Sequence, residues 1–131
     1  IETTGDLEQV LKRFIPKHKP SKFLARAYQA LRIEVNREME ALREMLAQTA
    51  TCLKPGGRLV VITYHSIEDR IVKNYMRSGN LEGEIEKDFY GNVLSPWKLV
   101  NRSVIIPSEE EIKENNRARS AKLRIAERTE E

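Results

Sequence analysis

His65, Ser66, Glu68, Asp69 and Arg70 form the densest group of reactive side chain types, and they follow directly on the apolar run Leu59-Val60-Val61-Ile62. An imidazole, a hydroxyl, two carboxylates and a guanidinium so close together can bond a polar heterocycle, hold a phosphate or move a proton. Their place matters as much as their types. In open α/β sheets ligands bind outside the carboxyl ends of parallel strands, and the unbroken apolar run predicts a strand covered on both faces in such a sheet. Each residue also has an ordinary structural use. Ser66 with Asp69 three positions on predicts the capping box of a helix, which favours Ser66 as a cap over a nucleophile. Glu68 and Asp69 suit the positive end of that helix, and His65 could bond to backbone.

Two further groups qualify as sites. Arg117, Arg119, Ser120 and Lys122 lie in a basic stretch near the C-terminus and could present guanidinium forks to a phosphate backbone, the alternative being a solvated charged face. Gln29, Arg32 and Asn36 recur at spacings of three and four, so they share one side of a helix, either lining a cleft or forming a buried polar network.

The elements that must position these residues are legible from periodicity. Thr4 to Phe14 predicts a short helix with Leu7, Val10, Leu11 and Phe14 on one face. Pro16 to Lys22 is a basic connector bounded by prolines. From Leu24, apolar residues recur at Tyr28, Leu31, Val35, Met39, Leu42, Leu46 and Leu53, predicting one helix of about thirty residues, roughly 45 Å long. Lys54-Pro55-Gly56-Gly57 stops it, the apolar strand follows, and a helix continues through Ile71, Val72, Tyr75 and Met76 to Ser78-Gly79. The stretch to Ser95 predicts a loop, and Trp97 to Arg102 a strand. Pro107-Ser108-Glu109-Glu110-Glu111 is a second capping box, opening a short helix that ends near Asn115-Asn116. Ala121, Leu123 and Ile125 then alternate with Lys122, Arg124 and Ala126, the period of a strand whose faces differ. The order is that of one half of a doubly wound α/β sheet. No Gly-x-Gly loop follows a strand, so no dinucleotide cradle is predicted.

Composition bounds the function. The chain has 131 residues, 40% hydrophobic and 33% charged, with a net charge of +3. That fits one ordinary domain with mild basicity. The single cysteine, Cys52, has no partner for an internal disulfide or a thiolate metal site, which favours a reducing cytoplasm. No metal site, membrane span or signal segment is expected. The chain opens with Ile1 inside an amphipathic pattern and reads as a trimmed piece.

Three ordered stretches resemble one family, the RsmH (MraW) type of small-subunit ribosomal RNA cytosine-N(4) methyltransferases. They are Tyr28-Gln29-Ala30-Leu31-Arg32-Ile33-Glu34-Val35-Asn36, the run Pro55-Gly56-Gly57-Arg58-Leu59 through His65-Ser66-Ile67-Glu68-Asp69-Arg70-Ile71-Val72-Lys73, and Pro107 to Glu111 followed by Asn115 through Arg124. Asn116 stands where the family usually has proline, and Ala25 and Ala27 where threonines usually flank Arg26. The resemblance implies a class I (Rossmann-like) methyltransferase domain interrupted by a helical insertion, using S-adenosylmethionine to methylate a cytidine of 16S ribosomal RNA at the decoding centre. Residues 1–23 would be the end of the insertion and the basic connector, and 24–131 the C-terminal half of the catalytic domain. The donor-binding and catalytic residues would lie in the absent N-terminal half, so no cofactor-binding residue is assigned here and the chain alone is expected to be inactive. His65, Ser66, Glu68, Asp69 and Arg70 would border the active site, with Arg117, Arg119, Ser120 and Lys122 on RNA. Two alternatives stay open: a non-catalytic RNA-binding module, and a structural piece that forms a homodimer through an exposed sheet edge.

Overall fold

The apolar repeat after Leu24 makes two helices rather than one. In a computed structural model that describes residues 1–130, α1 (Thr4–Leu11) is followed by α2 (Pro20–Asn36) and α3 (Glu38–Cys52). The break is Arg37, whose backbone turns left-handed with φ of 50° and closes α2 by donating its N–H to Glu34 O at 3.3 Å. A left-handed residue ends the ladder wherever it falls, and here it falls without the glycine that would signal it. The structure forms two units, Ile1–Met39 and Glu40 onward. In the first, α1 is held by a capping box between Thr3 and Asp6, and the Tyr28 hydroxyl donates to Glu8 at 3.1 Å.

The second unit carries the sheet. β1 (Arg58–Thr63) leads into α4 (Ser66–Ser78), then β2 (Trp97–Leu99), α5 (Glu109–Glu114), a 3₁₀ turn (Asn116–Ser120) and β3 (Lys122–Arg128). The strand order is β1-β3-β2, and β3 runs antiparallel to both neighbours. β1 and β2 therefore point the same way, with α4 as their crossover, but hydrogen-bond only to the strand inserted between them. This corrects the expectation of a strand paired within a parallel sheet. It also corrects the expectation of cover on both faces: Leu59 and Thr63 are buried, whereas Val60 and Ile62 on the opposite face are 54% and 56% exposed.

The covered face packs under α4 and α3. Leu46 of α3, Leu59, Val72, Tyr75, Met76, Trp97 and Ala126 form the core, with the Tyr75 and Trp97 rings 6.2 Å apart. Asp69, Val72, Tyr75 and Met76 recur at helical spacing, which is why one stripe of α4 faces inward. Arg128 ties the layers together, donating from Nε to Ala50 O at 3.0 Å and from Nη1 to Pro96 O at 3.3 Å.

β2 is shorter than the predicted Trp97 to Arg102. Val100 still donates to Ile125 O at 3.1 Å, and Ile105 exchanges two bonds with Leu123, so residues 101–104 leave the ladder opposite Arg124 alone. Four residues against one make this a special bulge, larger than the usual two against one. The stretch to Ser95 is turns, including a tight one in which the Asp88 carboxylate accepts from Tyr90 N and Asn92 N at 2.9 Å each. Among the described residues no helix is long and apolar enough to cross a membrane.

Candidate functional site

Strand direction gathers the polar residues at one edge. The carboxyl ends of β1 and β2 lie on the same side of the sheet, and because β3 is antiparallel its start lies there too, Lys122 pairing in register with Thr63. The β1–α4 turn, the bulge after β2 and the turn before β3 therefore share this edge.

At the β1–α4 turn the helix cap is His65, not Ser66. His65 has extended backbone, and its Nδ1 accepts the Glu68 N–H at 3.3 Å. Accepting at Nδ1 leaves a neutral ring's proton on Nε2, which lies 3.1 Å from Glu68 Oε1 but off the line of a hydrogen bond. Glu68 in turn accepts from Tyr64 N at 3.3 Å. An imidazole can cap because its unprotonated nitrogen stands where a hydroxyl oxygen would. Ser66 is left exposed as the first helical residue, and the predicted box between Ser66 and Asp69 does not form.

Asp69 points inward instead. Only 7% exposed, it takes a two-pronged bond from Arg124 of β3: Nε donates to Oδ1 at 2.7 Å and Nη2 to Oδ2 at 3.1 Å. Lys122 Nζ lies 3.7 Å from Oδ2. The bonded Arg124 guanidinium holds the Asp69 carboxyl below its usual range, against desolvation that pushes it up, with the Arg124, Lys122 and Lys73 charges adding to the lowering. The charged face of β3 is thus the inner one, because α4 brings a carboxylate to meet it. Beside this pair the Thr63 hydroxyl is buried with no hydrogen-bond partner.

The remaining candidates fall into two places. Arg70 is exposed on α4. Arg117, Arg119 and Ser120 are exposed on the 3₁₀ turn, which Asn115 opens by accepting Arg117 N at 3.2 Å and which Ala118 anchors as a buried residue. Lys122 alone of that strip contacts the Asp69 pair. Gln29, Arg32 and Asn36 lie in the first unit, where Arg32 and Asn36 are exposed and both donate to Glu38, at 2.9 and 3.5 Å. Sequence reasoning missed Arg124 as the anchor of the edge, because the alternation of β3 gives no sign that its charged face is the inner one.

The second unit is a mixed α/β fold with a small antiparallel sheet whose like-directed strands end at one polar edge. The sequence profile of the MraW methylase family matches residues 1–129, and the chain belongs to that family. It is 62% identical over 128 residues, 98% of its length, to "Ribosomal RNA small subunit methyltransferase H" of Parabacteroides distasonis. Proteins of the same name match at 59% identity in Bacteroides thetaiotaomicron, over 98% of this chain, and at 61% in Christiangramia forsetii, over 96%. The chain spans 42%, 42% and 41% of the length of these three relatives.

Proposed function

We propose that this chain is the C-terminal part of a methyltransferase that transfers a methyl group from S-adenosylmethionine to N4 of a cytidine in 16S ribosomal RNA, at the decoding centre of the small subunit, in the cytoplasm. The observation that carries the reading is the 62% identity over 98% of the chain to a protein named as a ribosomal RNA small subunit methyltransferase. In this reading residues 1–23 end the helical insertion and 24–131 complete the catalytic sheet.

S-adenosylmethionine supplies the methyl group. The donor's own pocket does not fit here: the N-terminus of α4, the one helix start that follows a strand directly, is filled by its own His65 and Glu68, with no glycine cradle. Donor binding therefore belongs to the rest of the protein, and this chain shapes the RNA side. Arg117 and Arg119 hold backbone phosphates from an exposed turn. The Asp69–Arg124 pair fixes the strand that carries this turn, and the His65–Glu68 turn borders the unstacked cytidine with Ser66 and Arg70, so that proximity and orientation do most of the catalytic work. Gln29, Arg32 and Asn36, on α2 in the first unit, are the remaining cleft-lining candidates.

The test compares the full gene product with this chain for transfer of labelled methyl from S-adenosylmethionine to small ribosomal subunits. The full product transfers label and Arg117→Ala with Arg119→Ala weakens RNA binding about tenfold, as removal of two phosphate contacts implies; the chain alone transfers none. Donor binding by the isolated chain at the full product's affinity would overturn the division of labour.

A second reading applies to the chain in isolation. β1 is an edge strand and its outer face exposes Val60 and Ile62. Without the rest of the catalytic sheet, that edge pairs with a second copy.

A further inference from the structure

The bulge after β2 opens a cleft between itself and α4. Its walls are Lys73 and Arg77 of α4 on one side and Arg102, flanked by Asn101 and Ser103, on the other. Leu99 and Ile125 contribute an apolar floor. Among the described residues Arg77 and Arg102 form no ion pair, and Lys73 meets a carboxylate only through the longer-range field of Asp69. Arg124 also lines the cleft but is already neutralised by Asp69. Three cations thus line one concavity whose nearest carboxylate, Asp69, is already held by the two-pronged bond from Arg124, so their mutual repulsion is relieved when a further anion arrives.

The bulge explains how Arg102 gets there. A regular strand continuing from Leu99 to Ile105 would keep residues 101–104 in the ladder beside β3. Because they leave it opposite a single residue, residues 101–103 come to line the cleft beside α4. Bulges commonly re-aim a side chain in this way beside functional sites. Two guanidinium groups, an ammonium, an amide and a hydroxyl around an apolar floor match a phosphate ester with its attached sugar better than they match a carboxylate, which would need only one fork.

We propose that the cleft between α4 and the β2 bulge, framed by Lys73, Arg77 and Arg102, is a phosphate-binding site. Its source of phosphate is the backbone of the RNA substrate, a statement that rests on the function proposed above. The cleft lies on the same sheet edge as the Arg117–Lys122 turn, so an RNA strand crossing that edge meets both cationic groups.

The test is salt-dependent binding of a single-stranded RNA oligonucleotide to the full gene product, followed by fluorescence anisotropy, for wild type, Arg102→Ala, and Lys73→Ala with Arg77→Ala. Lys113→Ala, which removes the same charge from α5 outside the cleft, is the control. Each cleft variant should bind five- to tenfold more weakly at low salt, and the slope of log affinity against log salt should flatten by about 0.7 per lost contact. The control should not change. Wild-type affinity and slope in both cleft variants, beside ordinary RNA binding by the parent, would overturn the site while leaving the methyltransferase reading intact. If the parent binds no RNA, that reading fails instead, and inorganic phosphate decides the site. A saturable shift of the Arg102 side-chain Nε–H resonance, lost in Lys73→Ala with Arg77→Ala, supports a site for free phosphate; no shift overturns it.

Discussion

Asp69 and His65 stand four residues apart and do opposite jobs, one fixing the sheet edge from inside and the other closing a helix at its surface. Removing the Asp69 carboxylate leaves Arg124, whose side chain is 17% exposed, without its partner. Asp69→Asn should cost about 2–3 kcal/mol in urea unfolding at neutral pH, below the range for a fully buried pair because water still reaches the guanidinium. Folding lowers the Asp69 carboxyl, so its contribution is complete above the unfolded-chain value of about 3.9 and is lost as pH falls below it through the folded value. The gap between wild type and Asp69→Asn in urea unfolding should therefore be full at neutral pH and should close as pH falls below about 3.9 through the folded value. For His65, Ala should cost about 1 kcal/mol and Asn almost nothing, since an amide oxygen restores the cap. RNA binding separates this from a role at the cytidine, because Asn would then weaken binding while stability held. The polar cluster was legible as a group, but its division was not. A cap and its target are three residues apart, whereas the partner of Asp69 lies 55 residues on.

Helix ends show the same contrast at the scale of elements. The N-cap at Ser108, where Oγ accepts Glu111 N–H at 3.2 Å, could be read from five consecutive residues because all its atoms are local. The division between α2 and α3 could not, since the apolar spacing runs straight through Arg37 and no glycine marks the left-handed residue. Gly79 was legible as a stop, and its geometry makes it more than that. It closes α4 at φ of 80°, and a Cβ there would lie 2.6 Å from Pro96 Cδ and 2.7 Å from Ser95 Oγ. Gly79→Ala should cost about 3 kcal/mol, combining left-handed strain with overpacking against the segment that enters β2. Gly91, at φ of 85° with nothing within 4 Å, is the matched control. Gly91→Ala should cost only the backbone strain, about 1 kcal/mol. Thermal or urea unfolding of the pair would measure the difference directly.

For the whole molecule, the α/β class and the family followed from the sequence, while the pairing of the strands did not. Leu59 to Ile62 is apolar at every position, so its sequence carries no record of which face this chain covers. Val60 and Ile62 remain bare because α3 and α4 lie against the other face. The isolated chain should therefore associate as its concentration rises in sedimentation velocity runs. Ile62→Lys should return it to a monomer by placing a charge beside the free edge. A monomeric wild-type chain at all concentrations would sink the edge-pairing reading.

The insertion of β3 between β1 and β2 has a consequence for how this part of the protein is born. Of the three strands it is made last, yet both of the others depend on it for every ladder bond of the sheet. During synthesis β1, α4 and β2 emerge with their apolar faces and unpaired backbone waiting for residues 122–128. The unit cannot close strand by strand as it leaves the ribosome; it closes when its final strand arrives, and a nascent chain halted before Lys122 is a substrate for chaperones and proteases rather than a partly built sheet.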